Sequence, residues 1–502
     1  MTTIVPVALR ARRLGLLTHD AAVAILRSDS DVSKSEGLAS HARIRLECNG
    51  NTVYATLYQA DSDLISGDEV GLSDFAWAKL GLSGPAAVTV APAPPLKSMT
   101  RVRAKLFGQL LDASGAREIV DDIVAGSFSD IQLASFVTSC ASPILTSAET
   151  IALTKAMIET GTRLVWPEGP VYDKHCVGGL PGNRTTPIVV AIAASFGLRM
   201  PKTSSRAITS PAGTADTMDT LTRVDLDIET MRHVVEQTGG CFVWGDSAGF
   251  SPADTAIIRI ERALELDVDG LLVASVMSKK IAAGATHVVI DAPVGPTAKL
   301  RSIIAARRLS DLFGDVAAAF GLKVRTIITD GRQPVGRGVG PALEAMDILA
   351  VLNGDSDAPA DLRDKSCRLT GELLEMAGVC RQGEGARLAF GALQDGSARR
   401  KFDEICAAQG DARMPPRARF HRPVRAKRNG RVTSIDNRLV ARVAKLAGAP
   451  EDRSAGIRLK VGLGDTVVQG DVLFTLASGT IGAIAYALDY VAANPDMVEI
   501  SR

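Results

Sequence analysis

The amino-terminal part of the chain alternates apolar and polar residues in short runs. Two such runs, residues 42–47 and 52–58, flank the turn sequence Asn49-Gly50-Asn51. Alternation with a period of two is typical of half-buried strands, and Asn-Gly favours the tight turn of a hairpin. We therefore predict a small β-rich domain over residues 1–92, followed by a proline-rich linker at residues 91–95.

The spacing of apolar residues then becomes helical. Ser129 with Gln132 and Thr146 with Glu149 form two capping-box sequences, in which side chains satisfy the free amides at a helix start. We predict a helical domain over residues 96–165, and we expect residues from about 250 to 284 to join it.

From residue 166 onward, short β-branched runs such as 286–290 and 324–328 alternate with helical stretches. This alternation predicts an α/β domain with a mostly parallel sheet over residues 166–415. Strand patterns separated by glycine turns return over residues 416–502. We predict a carboxyl-terminal α+β domain there, similar to a barrel-sandwich, and therefore a multidomain α/β protein.

Composition narrows the classes of partner. Lysine plus arginine (57) nearly equals aspartate plus glutamate (56), so nothing favours a nucleic-acid or membrane partner for the whole chain. The basic stretch 417–431 is interpreted as a solvated linker face. No apolar run is long enough to span a membrane, which favours a cytoplasmic protein. The seven cysteines are scattered without a Cys-x-x-Cys pair, so we expect reduced thiols and no metal site.

The most informative stretch is a glycine-rich turn that leads into an apolar helix. Lys174, His175 and Cys176 precede Gly178, Gly179 and Gly182, and Pro187 follows. Glycines allow backbone amides to approach an anion closely, and a helix start adds a positive partial charge. We therefore predict an anion site, with Thr185 or Thr186 capping the helix and Gly197 ending it.

Two further stretches carry polar side chains in useful patterns. Six hydroxyl residues lie between Thr203 and Thr214, together with Arg206, and make a surface of donors suited to phosphate oxygens. Ser275 and Lys279 are four residues apart and therefore share one helix face, where they could hold one small polar ligand. By itself, a pairing of this kind is more often part of an exposed helix surface than of a binding site.

Four motifs together carry a resemblance to a known family. They are Asp173-Lys-His-x-Val-Gly-Gly-x-Pro-Gly-Asn183, Ser205-Arg-Ala-Ile-Thr-Ser210 with Ala212-Gly-Thr-Ala-Asp216, Ser275-x-x-x-Lys279, and Pro293-Val-Gly-Pro-Thr-Ala-Lys299. The chain resembles, over nearly its whole length, the thymidine and pyrimidine-nucleoside phosphorylases, and within them the type 2 subgroup that includes AMP phosphorylases. The resemblance implies the class II nucleoside phosphorylase fold, with a helical and an α/β domain closing on a cleft.

The resemblance also implies roles for individual residues. Attacking phosphate would be held by Lys174, Cys176, Gly178, Gly179, Ser205 and Thr214. The nucleoside would be held by Arg206, Ala207, Ile208, Thr209, Ser210, Ser275, Lys279 and Lys299. The proton donor to the base would be Asp267 or His175, and both alternatives stay open.

The chemistry of phosphorolysis explains these residue types. Cleavage of the N-glycosidic bond develops positive charge on the sugar and negative charge on the departing base, so fixed cations and donors lower the barrier. An aspartate can donate a proton near neutral pH only if burial raises its pKa, whereas histidine needs no such help. The expected reaction releases free base and a pentose 1-phosphate.

Two departures from the family pattern affect the substrate. Cys176 stands where serine is common, and Ser210-Pro-Ala-Gly-Thr214 replaces a His-Thr-Gly-Gly-Thr element of thymidine enzymes. A nucleoside 5'-monophosphate such as AMP is therefore an open alternative, with ribose 1,5-bisphosphate as product. A magnesium-dependent phosphoribosyltransferase and a non-catalytic nucleotide-binding protein are two further hypotheses.

The expected partners are small molecules and a second copy of the chain. Orthophosphate would be a co-substrate beside the nucleoside or nucleoside monophosphate. We expect neither a metal nor an organic cofactor, and a homodimer or larger homo-oligomer.

Overall fold

The computed structural model describes residues 7–18, 20–35, 37–61, 63–142, 144–167, 169–207, 210–245 and 249–501. Two compact units make up the chain. One comprises residues 1–145 with 259–266, and the other comprises residues 146–258 with 267–502. Among the described residues, no helix combines the length and apolar character that crossing a membrane requires.

The first unit begins with a closed six-stranded barrel, in the order β1-β5-β2-β4-β3-β6. Its elements are β1 (Val7–Arg13), β2 (Val23–Arg27), α1 (Asp31–Ser35), β3 (Arg43–Cys48), β4 (Asn51–Ala60), β5 (Glu69–Leu72), α2 (Asp74–Lys79) and β6 (Ala87–Pro92). The predicted hairpin joins β3 to β4, with φ of +50° at Asn49 and +82° at Gly50. Alternate residues such as Ile44 and Leu46 fill the barrel core.

Helices follow the barrel in the same unit. They are α3 (Ser98–Leu106), α4 (Ala113–Val124) and α5 (Asp130–Ala141). The capping box predicted at Ser129 and Gln132 is present at the start of α5, with both reciprocal hydrogen bonds. The box at Thr146 and Glu149 is likewise present, at the start of α6 (Ser147–Glu159) in the second unit.

Parallel strands form the centre of the second unit. They are β7 (Tyr172–Cys176), β8 (Met200–Ser204), β9 (Gly240–Trp244), β10 (His287–Val294) and β11 (Lys323–Asp330). Strand β10 lies between β7 and β11, and β8 pairs with β9. A parallel bridge between Val171 and Arg199 brings the start of β8 beside β7. The predicted mostly parallel sheet is confirmed.

Helices surround these strands. They are α7 (Thr185–Ser195), α8 (Thr214–Met218), α9 (Ile228–Thr238), α10 (Pro252–Leu264), α11 (Asp269–Ala282), α12 (Ile303–Ala319), α13 (Pro341–Asn353), α14 (Ala360–Met376), α15 (Gly385–Gln394) and α16 (Ser397–Gln409). The residues of α10 are divided between the two units. Helix α7 is buried on all sides, as its continuous apolar sequence requires.

The carboxyl-terminal segment folds into two small antiparallel sheets and two helices. Its elements are β13 (Phe420–Arg425), β14 (Gly430–Ile435), α17 (Asn437–Leu446), β15 (Gly456–Leu459), β16 (Thr466–Val467), β17 (Val472–Ser478), α18 (Ile481–Ala493), a short 3-10 helix (Pro495–Met497) and β18 (Val498–Ser501). The sheets have the orders β12-β15-β17-β13 and β16-β14-β18, where β12 is Gly338–Val339. Strand β12 therefore comes from the α/β segment and pairs with the tail.

Candidate active site

Strand β7 sends alternate side chains to opposite faces of the sheet. Lys174 and Cys176 face the start of α7, where Lys174 bonds to Thr185 and Cys176 to Asn183. Asp173, on the other face, contacts a lysine of α11. Strands β7, β8, β10 and β11 are parallel and present their carboxyl ends at one edge, where ligands bind in open α/β sheets.

Lys174 is the central cation of the candidate anion site. Its side chain is 1% exposed, and Nζ donates to Oγ1 of Thr185 at 2.7 Å and of Thr186 at 3.4 Å. Burial lowers the pKa of Lys174, although the charge of Asp291 opposes the effect. Among the described residues, no carboxylate forms an ion pair with this ammonium. Its charge is therefore available to a bound anion.

The two threonines do not cap α7, so that prediction was wrong. Helix α7 begins at Thr185 itself, and the N-cap residue Arg184 makes no side-chain capping bond. The threonine hydroxyls accept hydrogen bonds from the buried Lys174 ammonium instead. The amides at the start of α7 therefore keep no side-chain cap, which suits an anion-binding end.

The glycine loop after β7 depends on residues that lack a side chain. Gly178 and Gly179 have φ of +94° and +78°, a region that favours glycine. A Cβ on Gly179 would lie 2.5 Å from the backbone nitrogen of Lys299, and one on Gly182 would lie 2.3 Å from the carbonyl oxygen of Val335. The loop is therefore pressed against two other backbone segments, which fix its shape.

Cys176 helps to hold this loop through its sulfur. Sγ accepts from Asn183 Nδ2 at 3.1 Å and from the Gly178 amide at 3.5 Å. Burial, reinforced by the nearby Asp291 carboxylate, raises the pKa of the Cys176 thiol. The thiol is therefore neutral and acts as an acceptor within the loop, not as a nucleophile.

The hydroxyl-rich segment lies directly beside the glycine loop, and Arg184 joins them. Its guanidinium donates to Thr214 Oγ1 at 2.9 Å and to the carbonyl oxygen of Ala212 at 2.8 Å, and Nε pairs with Glu344 at 2.6 Å. The hydroxyl of Thr214 thus lies next to the loop that follows Lys174. The two predicted phosphate-binding segments are adjacent in the fold.

Asp216 gives the hydroxyl-rich segment its shape. Its carboxylate accepts from the backbone amides of Ala207 at 2.6 Å and Gly213 at 2.8 Å. Ser210 donates to the carbonyl oxygen of Ala212 at 2.7 Å, which tightens the same turn. The segment is therefore closed by its own bonds. The candidates Ile208 and Thr209 lie outside the described residues.

Two further candidates in this segment are Ser205, which is exposed, and Arg206, which is paired with carboxylates. Ser205 is exposed, whereas the hydroxyl of the preceding Ser204 is buried and meets no hydrogen-bond partner among the described residues. Arg206 stacks on Trp244 with its guanidinium 4.8 Å from the ring centre. It also contacts the carboxylates of Asp216, Asp219 and Asp225. The substrate contacts assigned to Ser205 and Arg206 stay predictions.

His175 lies above a buried cluster of three charges. Asp173 pairs with Lys202 at 3.0 Å and with Lys280 at 2.7 Å. Burial, strengthened by the charges of Lys280, Lys202 and Lys279, lowers the pKa of His175 well below its ordinary value. The imidazole is therefore neutral near pH 7, and no described residue hydrogen-bonds to it.

Ser275 and Lys279 lie on one face of α11, as their spacing predicts. Lys279 Nζ donates to Ser275 Oγ at 3.1 Å and to Asp254 at 2.7 Å. Lys279 is also close enough to influence His175. This polar pair therefore lies near His175, whose side chain is on the opposite face of β7 from that of Lys174.

Asp267 and Lys299 form a separate pair. Their side chains meet at 2.7 Å, with the Asp267 carboxylate 62% exposed. Asp267 makes no capping bond to α11, whose N-cap is Val268. The Asp267 carboxylate is therefore accessible to solvent in this structure.

Sequence reasoning gave no role to several residues that build this site. They are Asn183, Arg184, Glu344, Asp291 and Lys365. Asn183 and Arg184 directly follow the glycine loop, a position that could have marked them. The other three are distant in sequence and carry no local pattern. Among the described residues, no group of three or more His, Cys, Asp or Glu side chains is arranged to hold a metal ion.

The comparison with protein families agrees with the helical and α/β parts of this structure. Residues 101–161 match the model described as "Glycosyl transferase family, helical bundle domain", and residues 168–399 match "Glycosyl transferase family, a/b domain". The chain belongs to this glycosyl transferase family. The helical and α/β parts inferred from hydrophobic patterns are thereby confirmed as to fold class.

Relatives extend the similarity to the whole chain. A "Putative thymidine phosphorylase" of Polaromonas sp. is 51% identical over 500 residues, covering 100% of this chain and 98% of the relative. A protein of the same name from Chelativorans sp. is 52% identical over 493 residues, covering 98% and 97%. The resemblance to the thymidine phosphorylase family is confirmed, and with it the class of pentosyl-transferring enzymes.

Solved structures support the fold alone. Anthranilate phosphoribosyltransferase from Thermus thermophilus is similar with a TM-score of 0.52 at 19% identity, covering 61% of this chain and 98% of that one. The Saccharomyces cerevisiae enzyme of that name, determined with PRPP and Mg, gives a TM-score of 0.50 at 16% identity, covering 62% and 98%.

Proposed function

We propose that the chain catalyses the phosphate-dependent cleavage of a nucleoside to free base and a pentose 1-phosphate, as a thymidine phosphorylase does. The observation that carries this proposal is Lys174, a buried ammonium that forms no direct ion pair among the described residues, at the uncapped start of α7 and beside the glycine loop. A free anion completes such a cradle, because it pairs directly with the ammonium and accepts from the loop amides.

The arrangement provides both halves of the reaction. Lys174, Thr186 and Thr214 would orient orthophosphate as the attacking group. Ser275 and Lys279, which lie near His175, would hold the base. The Lys279 charge would then stabilise the negative charge that develops on the leaving base. An oxygen of HPO4²⁻ bonds to the anomeric carbon as the bond to the base breaks, and the proton of that ion passes to the departing base. The products are then free base and a pentose 1-phosphate dianion.

His175 acts in this proposal as a neutral hydrogen-bond donor to the base. An imidazole with a lowered pKa cannot serve as a cationic acid near neutrality, but it keeps one N–H. Asp267 is the alternative proton donor, and it would have to leave Lys299 and become enclosed when substrate binds.

A pH profile distinguishes a neutral from a cationic His175. If its cation were required, activity would fall as pH rises through its pKa, and the fall would vanish on substitution. With the pKa already well below 6.5, we expect kcat/KM for the nucleoside to show no such fall between about pH 6 and 8. His175→Asn, which keeps a donor, should retain more activity than His175→Leu. If the activity of the wild-type protein falls with rising pH and this fall disappears in both variants, His175 is not a neutral donor. Asp267→Asn tests Asp267, the alternative proton donor.

A nucleoside 5'-monophosphate is the second candidate substrate. Lys299 supports it, because this lysine lies against Gly179 of the anion loop and its only described ion-pair partner is the exposed Asp267. A second phosphate could replace that carboxylate. The product would then be ribose 1,5-bisphosphate.

One experiment decides among these functions. Thymidine, uridine, cytidine, AMP and CMP are each incubated with the enzyme, with and without orthophosphate, and free base is measured. We expect release only when phosphate is present, with no effect of a chelator. Release without phosphate would indicate a hydrolase. Base consumption that requires phosphoribosyl pyrophosphate and magnesium would indicate a phosphoribosyltransferase, and binding without turnover a non-catalytic protein.

Orthophosphate is the only co-substrate in this proposal, and no organic cofactor is invoked. Cytoplasmic location, assembly as a homodimer or larger oligomer, and the lack of a nucleic-acid partner stay predictions.

A further inference from the structure

Lys365 is a buried cation that the reaction described above does not use. It lies on α14, its side chain is 9% exposed, and Nζ is 3.1 Å from Asp291 Oδ2. The ion pair is poorly directed, because Nζ donates no hydrogen bond to any described residue. An ammonium has three donors, and burying it without acceptors is costly. A ligand that accepts from Nζ would remove this cost.

The carboxylate that Lys365 contacts belongs to the anion cradle. Asp291 Oδ2 also accepts from Asn183 in the glycine loop at 3.0 Å, and Oδ1 accepts from Thr329 at 2.6 Å. Burial alone would raise the pKa of Asp291, but Lys365 and Lys174 outweigh it and hold the pKa at about 2. Lys365 and Asn183 of the glycine loop therefore contact the same oxygen, Oδ2 of the ionised Asp291.

This ionised Asp291 creates a need for a second cation. Orthophosphate near pH 7 carries more than one negative charge, and it would bind close to an existing carboxylate. Lys174 alone cannot balance both. The charge of Lys365 acts on both Lys174 and Cys176, which places it near both residues. Cys176 is also a weak donor, and its sulfur already accepts hydrogen bonds from Asn183 and the Gly178 amide.

We propose that Lys365 is a second phosphate-binding residue, whose free N–H groups donate to the orthophosphate held by Lys174 and replace the donor that Cys176 lacks. The inference rests on the proposed function. A simpler role is neutralisation of Asp291 without any contact to phosphate. The two roles differ in whether Lys365 still matters once Asp291 has lost its charge.

Calorimetric titration of inorganic phosphate into the full-length protein separates the two roles and needs no knowledge of the nucleoside. The variants are Lys365→Met, Asp291→Asn, the double variant and Lys365→Arg. Lys155→Met, at a largely exposed lysine of α6, is the control. We expect Lys365→Met to weaken phosphate binding about tenfold or more, as loss of a charged hydrogen bond implies. Lys365→Arg should recover part of the loss, and Lys155→Met should bind as wild type does.

The comparison between Asp291→Asn and the double variant is decisive. The proposal requires that the double variant bind phosphate about tenfold or more weakly than Asp291→Asn does. Residue 291 is uncharged in both proteins, so an unpaired Asp291 carboxylate cannot cause a folding defect in either. Equal phosphate affinity of these two proteins would overturn it, as would unchanged affinity in Lys365→Met. In steady-state assays the phosphate KM should rise while the nucleoside KM stays within about twofold. If the wild-type protein binds no phosphate, the proposed function is overturned as well. If the wild-type protein binds phosphate but Asp291→Asn and the double variant bind it equally well, only the role of Lys365 is rejected.

Discussion

Replacing Lys174 with methionine should lower kcat/KM for orthophosphate by about 10³-fold, with the folded protein at least as stable as wild type. Loss of one preorganised donor costs about 10²- to 10³-fold in comparable sites, and Lys174 supplies a full charge as well. Stability should not fall, because burial penalises the ammonium more than the charge of Asp291 favours it, and methionine fills a similar volume.

The measurements are initial rates over a range of phosphate concentrations and a thermal melt of both proteins. Lys155→Met again serves as the matched control, since it removes a lysine that is largely exposed. A Lys174→Met protein that melts normally and keeps activity within tenfold of wild type would show that phosphate does not bind at this cradle.

Replacing Asp173 with asparagine should destabilise the second unit by about 3–5 kcal/mol, the cost of removing one partner from a buried ion cluster. Asp173 faces both Lys202 and Lys280, and all three side chains are buried. Asparagine would leave two ammonium groups close together without a negative charge.

The loss should depend on pH in a definite direction. Burial already lowers the pKa of Lys280 to about 7. A lysine whose pKa is lower in the folded state binds fewer protons there than when unfolded, so stability rises with pH above that value. Without Asp173 the pKa falls further and the rise begins at lower pH. The deficit in Asp173→Asn should therefore be larger near pH 6 than near pH 9.

Chemical denaturation at the two pH values measures this deficit. Asp130→Asn is the control, because Asp130 pairs with Arg259 at an exposed position and its loss should cost at most about 1 kcal/mol. A deficit in Asp173→Asn as small as that of the control, or one that grows with pH, would contradict the role of Asp173 as the shared counter-ion.

Local signals in the sequence predicted much of the architecture. The Asn49-Gly50 turn and both capping boxes form where the residue pattern placed them, since each depends only on neighbours within a few residues. The spacing of Ser275 and Lys279 likewise suffices to place them on one face of α11. The alternation of strands and helices predicted the parallel sheet for the same reason.

The predictions from sequence fail or fall short where a side chain bonds to a residue that is distant in sequence. Thr185 and Thr186 have the right chemistry for caps, but a buried ammonium from the preceding strand takes their hydroxyls. Nothing near Lys365 in the sequence shows that it meets Asp291, because only packing of α14 against the sheet brings them together. Ser204 ends β8 with its hydroxyl buried, whereas Ser205 lies just beyond the strand and is exposed, a difference that a run of hydroxyl residues does not reveal.

The pairing of β12 with β15 has a consequence for how this chain can be shortened. Gly182 is packed against two carbonyl oxygens, that of Val335 just before β12 and that of Gly338, the first residue of β12. Residues 338–339 in turn bond across to residues 457–458 of the tail. A protein ending near residue 415 would thus keep every side chain of the candidate phosphate site but lose the strand that pairs with β12 behind the glycine loop. The tail therefore supports the shape of this candidate site, as the sheet does.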